Sequence, residues 1–452
     1  MYGGGGHMGN EAHLKKNIGF AVATSLVVGT VIGSGIFMKP GIVIASTGNS
    51  TLALWAWIIG GIITLASGLT IAEVSVKIPK TGGLYVYIEE VYGKFWGFLC
   101  GWVQTLIYGP AIMGALGLYF GSLVAGLFGF SQESNTIIGI ITIIFLVFMN
   151  LLGTQYGGFI QNISTIGKLI PIILIATFGI FQGEHQVLNM DSGITHSFSM
   201  GAAILATLFA YDGWMNVGFM AGEMKNPSKT LPRAIISGIV IVIISYLTVN
   251  IAMLHVLPAN KIVELGPNAA GTAATILFGK MGGNLLSIGI LVSIFGCLNG
   301  KVLTFPRIPY AMARDGFLPG AKAISYIHPK TKTPVGATLS QLVIAVLMMI
   351  LTNPDRLSDI AIFTVFTFYV LSFIAVFLLR KKGLDNSQTH YKVPLYPITP
   401  IVAILGALYI IGSTLINTPL DAVLSIIVTL IGIPVYLKLN ANKQKHPQPK
   451  AS

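Results

Sequence analysis

Twelve apolar runs, each long enough to cross a lipid bilayer, constrain this chain of 452 residues more than any other feature. About 20 apolar residues span the hydrocarbon core as a helix, and a helix satisfies its own backbone hydrogen bonds in lipid. The composition, 54% hydrophobic and 9% charged, leaves little material for a soluble domain. The sequence therefore predicts an all-α polytopic membrane protein with transmembrane helices at about residues 18–44, 52–76, 95–126, 136–153, 159–182, 199–222, 232–257, 282–304, 335–352, 359–380, 396–416 and 420–438.

The basic residues are unevenly divided between the two sets of loops. The net charge is +12 at pH 7, which in a soluble domain would suggest a nucleic-acid partner. The loops on one side hold most of the Lys and Arg, whereas those on the other hold only Lys261, Lys280 and Arg356. Basic loops remain in the cytoplasm. We therefore expect cytoplasmic N- and C-termini and no nucleic-acid partner.

The loops are short, and none contains a soluble insertion. Residues 1–10, MYGGGGHMGN, have the composition of a tag-like or disordered lead, and 441–452 that of a cytoplasmic tail. We therefore expect one membrane domain over residues 11–440. Cys100 and Cys297 both lie in apolar runs, which argues against a disulfide framework.

Two of the apolar runs contain helix-breaking sequences. In the first run, GTVIGSGIF carries Gly33, Ser34 and Gly35 in succession, and in the sixth, ATLFAYDGW places Asp212 and Gly213 near the middle. A carboxylate within the membrane is costly and indicates a functional site. Breaks at matching positions, five runs apart, indicate an inverted repeat. We expect helices 1 and 6 to be unwound at the midplane, with repeat one at about 14–182, repeat two at about 198–382 and two extra helices at about 394–440.

Such breaks would expose backbone groups to a ligand. The N–H groups of Ser34, Gly35 and Ile36 suit a carboxylate, and the carbonyls near Val31, Phe209 and Asp212 suit an ammonium group, so the pair suits an α-amino acid. Close helix packing through Gly29 and Gly33 is the alternative. The candidate substrate-binding residues are Val31, Ile32, Gly33, Ser34, Gly35, Ile36, Phe209, Ala210, Tyr211, Asp212 and Gly213.

Several motifs resemble the amino acid–polyamine–organocation (APC) superfamily, and within it the L-type amino acid transporter (LAT) family. They are GTVIGSGIF, EVSVKIPKTGGLYVYIEEVYG, FAYDGW followed by GEMKNP, and IFGCLNGK, and the similarity runs from about residue 14 to 440. The most similar members are the bacterial serine/threonine and alanine–serine–cysteine exchangers. The resemblance implies a LeuT-type 5+5 inverted repeat plus two C-terminal helices, forming one transporter domain in a bacterial inner membrane. It also implies sodium-independent exchange of small neutral L-amino acids (Ser, Thr, Ala, Cys) by alternating access.

The resemblance also assigns roles to single residues. Ser34 and Gly35 would hold the substrate carboxylate, while the Phe209 ring would gate the site. Lys168 lies roughly 13 Å into the fifth run. It resembles a fixed replacement for the sodium ion that sodium-coupled members of the fold bind. The alternative is that its long side chain snorkels to the membrane surface. Cys297 and Asn299 are further coupling or gating candidates on the eighth run, where packing is the favoured reading for Lys301. A loop on the inner side is also similar to a family motif, and it contains Tyr85, Tyr87, Glu89 and Glu90. These residues either close the cytoplasmic vestibule or form a solvated charge cluster, and the sequence favours neither interpretation.

Departures from the family leave some alternatives open. The loop after the third run, GLFGFSQESNT, lacks the cysteine through which animal members join a heavy subunit, so we expect no disulfide-linked heavy subunit. Asp212 stands where several neutral-substrate relatives have glycine, so cationic substrates remain possible. A proton- or ion-coupled symporter is the closest alternative to an exchanger. A channel is a more distant alternative, because it would not need a site for both a carboxylate and an ammonium group.

An enzymatic function has little support in the sequence. The histidines do not form a zinc motif of the HExxH type, and no phosphate-binding GxxxxGK[ST] loop occurs. We expect no metal and no cofactor. Transport would then be driven by substrate or ion gradients.

Overall fold

The computed structural model describes residues 18–78, 83–190, 198–382 and 391–445, and within these ranges the chain is helical, with two isolated β-bridges and no strand. Three segments are wound differently from an α-helix: the π-helix Gln104–Tyr108 and the 3₁₀-helices Trp214–Glu223 and Gly266–Asn268. The α-helices are α1 (Phe20–Val31), α2 (Gly35–Met38), α3 (Pro40–Thr47), α4 (Ser50–Lys77), α5 (Leu84–Tyr92), α6 (Lys94–Val103), α7 (Gly109–Phe128), α8 (Ser134–Leu152), α9 (Thr154–Gly167), α10 (Leu169–Gln182), α11 (Met200–Ala210), α12 (Pro227–Val256), α13 (Ala259–Leu265), α14 (Ala269–Thr304), α15 (Arg307–Arg314), α16 (Ala321–Ile324), α17 (Val335–Leu351), α18 (Pro354–Lys381), α19 (Ile398–Asn417) and α20 (Pro419–Lys445).

The described helices are those of a multi-pass membrane protein. Ten helical segments in the described ranges are long and apolar enough to span a bilayer, and they match ten of the twelve predicted runs. The other two runs are shorter helices: α17 has 17 residues, and the run at 199–222 divides into α11 and the 3₁₀-helix that follows it. Exposed apolar side chains on α8, including Ile137, Ile141 and Phe148, suit contact with lipid.

The first run is not one continuous helix. The helix that begins at Phe20 ends at Val31, where Ile32 takes an extended conformation with φ −69° and ψ 105°. Helical structure resumes at Gly35 and continues, through Lys39 in helical geometry, to the end of α3. Gly48, at φ 78°, stops α3, and the Asn49 side chain then accepts the Leu52 N–H at 2.8 Å to cap α4.

Close packing through glycine brings the helices around α1 together. At Gly238 of α12, an added Cβ would lie 2.4 Å from Val27 of α1, and at Gly68 of α4 it would lie 2.3 Å from Ile239 of α12. Small residues of this kind let membrane helices approach closely. As a result α12 holds α1 and α4 in a fixed relation, with Trp57 and Tyr246 packed edge to face at 5.7 Å.

The inner-loop motif forms the short helix α5. Tyr85 and Tyr87 are buried, whereas Glu89 is half-buried and Glu90 is exposed. Residues 79–82 of the same motif lie outside the described residues. The structure thus divides this motif between a packed aromatic face and an acidic face nearer the surface.

Candidate functional site

The two predicted breaks lie directly against each other. An added Cβ on Gly35, the first residue of α2, would lie 2.4 Å from Ala210 Cα at the end of α11. In α2, Phe37 N–H donates to Ser34 O at 3.0 Å, so the N–H groups of Gly35 and Ile36 precede the first bond of the helix. The start of one helix therefore meets the end of another.

A narrow cavity, with only about 10 Å³ of free volume, lies beside this contact. Ser34 is buried on its wall, and its hydroxyl has no hydrogen-bond partner among the described residues. A buried hydroxyl is normally paired, so this group is available to a ligand. The cavity is lined by Val31, Gly33, Ser34, Gly35, Ile112, Leu116, Phe209, Ala210, Asp212, Cys297 and Lys301.

The helix ends are joined by a tyrosine that the sequence analysis missed. Tyr246 Oη donates to Ala210 O at 2.8 Å and to Val31 O at 3.1 Å. Phe209 O in turn accepts the Asp212 N–H at 3.1 Å. The Val31 and Phe209 carbonyls, expected to face a ligand alone, thus each hold one internal bond, although every carbonyl oxygen has a second lone pair.

Both carboxylate oxygens of Asp212 are hydrogen-bonded. Its Oδ1 accepts a hydrogen bond from Tyr108 Oη at 2.7 Å, and its Oδ2 accepts one from Lys301 Nζ at 2.8 Å. Packing was the reading favoured for Lys301 from the sequence, and in the structure this buried lysine also forms an ion pair on the cavity wall. Opposite charges within a membrane protein usually pair with one another, and that rule was the available signal.

The three polar candidates on α14 face different surroundings. Cys297 and Lys301 lie one turn apart and both line the cavity. Asn299 instead donates to Gly157 O at 2.9 Å and accepts from Asn150 at 2.9 Å, on the side facing α8 and α9. The structure therefore places Asn299 away from the cavity, because residues two apart on a helix point in nearly opposite directions.

Lys168 is completely buried where α9 meets α10. Its Nζ donates to Gly29 O and, at 3.0 Å, to Ile32 O. These carbonyls belong to the last turn of α1 and to the residue after it, where intrahelical donors are lacking. Lys168 thus caps the broken end of α1 from outside the cavity, in a position where snorkelling plays no part.

Phe209 is covered by a polar cluster. Lys39 Nζ lies 4.9 Å from the centre of the Phe209 ring, and it donates to Asp355 at 2.9 Å and to Ser358 at 2.8 Å. Tyr119 Oη also donates to Asp355. This cluster joins the residue between α2 and α3 to α7 and to the start of α18, beside the Phe209 ring that lines the cavity.

The remaining candidates support the breaks without lining the cavity. Ile32 and Ile36 are fully buried, and Tyr211 Oη donates to Trp57 O at 3.2 Å, away from the cavity. Gly213 has φ +119°, a conformation that favours glycine, and its carbonyl accepts the Thr30 hydroxyl at 3.1 Å. These contacts fix the turn that follows α11.

The chain is similar to known proteins over almost its whole length. The family model described as amino acid permease matches residues 18–436. A serine/threonine exchanger, SteT, of Bacillus subtilis (strain 168) is 55% identical over 430 residues, covering 95% of this chain and 98% of the relative. The human large neutral amino acids transporter small subunit 2 is 32% identical, with 95% and 82% covered, and the human cystine/glutamate transporter is 30% identical, with 94% and 85% covered.

Proposed function

The chain belongs to the amino acid permease family, and we propose on that premise that it is a secondary transporter which exchanges small neutral L-amino acids by alternating access. Serine and threonine are the first substrates to expect, because the 55% identical relative is a serine/threonine exchanger. Alanine and cysteine differ from serine by single small groups, which a pocket discriminates only weakly, by ~1–3 kcal/mol. The family and the relatives are transporters, which supports a role in transport for the cavity.

One observation carries this proposal: the buried, unpartnered hydroxyl of Ser34 lies in a cavity between two helix ends. The substrate carboxylate would accept from Ser34 and from the N–H groups of Gly35 and Ile36. The substrate ammonium would donate to the second lone pairs of the Val31 and Phe209 carbonyls. A molecule with both groups on one carbon would meet both demands.

The proposed architecture is the LeuT-type arrangement of twelve spans, with α1–α3 and α11 as the two helices unwound at the midplane. The 17-residue α17 and the segment formed by α11 and the following 3₁₀-helix would complete the twelve. The basic loops support a topology with both termini in the cytoplasm of a bacterial cell. Cys100 and Cys297 are both buried with free thiols, so we propose no disulfide-linked subunit.

Sodium independence is part of the proposal because of Lys168. Its ammonium group already supplies a fixed positive charge to the carbonyls of Gly29 and Ile32. A sodium ion bound there would have to displace that charge. The gradient that drives uptake would then be that of the exchanged amino acid.

The experiment is uptake of radiolabelled serine into proteoliposomes. Vesicles are preloaded with serine, preloaded with arginine or left empty, each with and without sodium or a pH gradient. We expect uptake only with internal serine, at a rate that ignores both gradients. Uptake into empty vesicles that follows an ion gradient would support the coupled symporter instead, and an absence of serine uptake in every condition would overturn the proposed substrate.

A further inference from the structure

The third apolar run contains one turn that is wound more loosely than the rest. Its helix passes from α6 to α7 through the π-helix Gln104–Tyr108. A π-turn holds one residue more than an α-turn, so the helix that follows is rotated by about 100°. This rotation decides which face of α7 points to the cavity.

The face that the π-turn directs inward belongs to the candidate site. Tyr108, Ile112 and Leu116 follow one another at intervals of four residues, so they share one face of the helix. Ile112 and Leu116 line the cavity, and Tyr108 Oη donates to Asp212 Oδ1 at 2.7 Å. In an uninterrupted α-helix this face would be turned aside by about 100°. The π-turn therefore sets part of the cavity wall.

The same turn leaves one backbone carbonyl without a donor from its own helix. Gly109 N–H donates to Gln104 O, five residues back, and so is not spent on Thr105 O. The next residue that could reach Thr105 O is Pro110, which has no N–H. Thr105 is buried, and a buried carbonyl requires a partner.

Gln341 of α17 supplies the missing donor. Its Nε2 donates to Thr105 O at 2.7 Å, and its side chain is almost completely buried. Gly109 leaves room for this amide, since an added Cβ there would lie 2.6 Å from Gln341 Oε1. Carbonyls freed by an irregular turn in a membrane helix are commonly satisfied by polar side chains of neighbouring helices.

We propose that Gln341 is a positioning residue for transport, which holds the π-turn and thereby keeps Tyr108 on Asp212. This inference rests on the proposed function, since the wall that it orders belongs to the proposed substrate site. Gln341 is not among the described residues that line the cavity. It acts on the site through Tyr108 and the face of α7 that follows it.

The test removes the donor and then restores one from the backbone. Gln341→Leu keeps most of the side-chain volume but has no N–H, and Pro110→Ala gives position 110 an N–H that can donate to Thr105 O. Ser340→Ala is the control, because the Ser340 hydroxyl bonds only within its own helix, to Ala337 O at 2.8 Å. Serine exchange is measured in proteoliposomes preloaded with serine, and unfolding temperature in detergent, for the single variants and for the Gln341→Leu, Pro110→Ala pair.

We expect Gln341→Leu to lower the exchange rate about tenfold, since a buried carbonyl is left unpaired. Ser340→Ala should exchange at the wild-type rate. The pair should regain most of the lost rate, because a new backbone donor replaces the amide but does not replace its packing. If Gln341→Leu alone cannot be purified, the pair is expected to be recovered and active, and failure to recover it would contradict the proposal.

A second cycle tests whether Gln341 acts through Tyr108. Tyr108→Phe removes the hydroxyl that bonds Asp212. Residues that act independently have effects that multiply, whereas residues in one chain of contacts do not. Gln341→Leu should therefore slow exchange far less in the Tyr108→Phe background than in wild type.

Three results would overturn the proposal. One is a wild-type exchange rate in Gln341→Leu, and another is a pair that exchanges no faster than Gln341→Leu alone. The third is full multiplication of the Gln341→Leu and Tyr108→Phe effects. Wild type that exchanges no serine would instead refute the proposed function, and the unfolding temperatures would still show whether Pro110→Ala rescues Gln341→Leu.

Discussion

Replacement of Gly35 by alanine tests whether the two helix ends must touch. The added Cβ would lie 2.4 Å from Ala210 Cα and 2.5 Å from Ala210 Cβ. Ordinary contacts of this kind begin near 3.4 Å, and the neighbour is backbone, so α2 and α11 must separate by about 1 Å. Overpacking of this type costs about 1–3 kcal/mol, and a shift of about 1 Å in a site can slow its function by up to a hundredfold.

The assay is serine exchange in proteoliposomes, together with thermal unfolding of the purified protein. We expect Gly35→Ala to lower the exchange rate at least tenfold, since 1.4 kcal/mol corresponds to about tenfold. Gly412→Ala is the matched control, because nothing lies within 4 Å of its added Cβ on α19. Exchange by Gly35→Ala at the wild-type rate and serine affinity would refute the account of this contact.

Three further substitutions test other contacts. Lys168→Met leaves the carbonyls of Gly29 and Ile32 without their donor, at about 1–3 kcal/mol each, so serine exchange should fall by about tenfold or more; a wild-type rate would exclude the capping role. Lys39→Met removes the ammonium group that lies 2.9 Å from Asp355, and this should loosen the cover over the cavity. In a Cys100→Ser background, an external, membrane-impermeant maleimide should then label Cys297 faster. An unchanged labelling rate would contradict a covering role for Lys39. Glu73→Gln weakens two bonds from Arg380, at 2.8 and 2.6 Å, and should lower the unfolding temperature while serine affinity is kept; a change confined to affinity would contradict this structural role.

The sequence predicted the positions of ten apolar helices in the described ranges and the interruption after α1. Transmembrane helices can be predicted without a periodic pattern of apolar residues, because the length and apolarity of a run alone indicate a membrane span. The break at Gly33–Gly35 follows from three small residues in succession, and the structure has the interruption between Val31 and Gly35. The turn after Ala210 follows in the same way from Asp212 and Gly213.

The contacts between distant segments could not be obtained from the sequence. Lys301 and Asp212 are 89 positions apart, and Tyr246 reaches Val31 across 215. Each partner can be named only when the helices are packed in three dimensions. A rule that buried opposite charges pair would have suggested Lys301 or Lys168 for Asp212 without choosing between them.

The direction of Asn299 could have been obtained from helical geometry. Cys297 and Lys301 are four residues apart and share one face of α14, whereas Asn299, between them, points to the opposite face. Its bonds to Asn150 and Gly157 agree with that geometry. Asn299, named from the sequence as a coupling or gating candidate, thus lies on the side of α14 that faces α8 and α9.

The broken helix ends are proposed to recognise both charged groups of an α-amino acid. The most direct measurement is the efflux of labelled serine from preloaded vesicles, triggered by external L-serine, by its methyl ester, which lacks the carboxylate, or by glycerate, which lacks the amine. The account predicts efflux with L-serine alone. Efflux with the ester or with glycerate at a rate comparable to that with serine would contradict it.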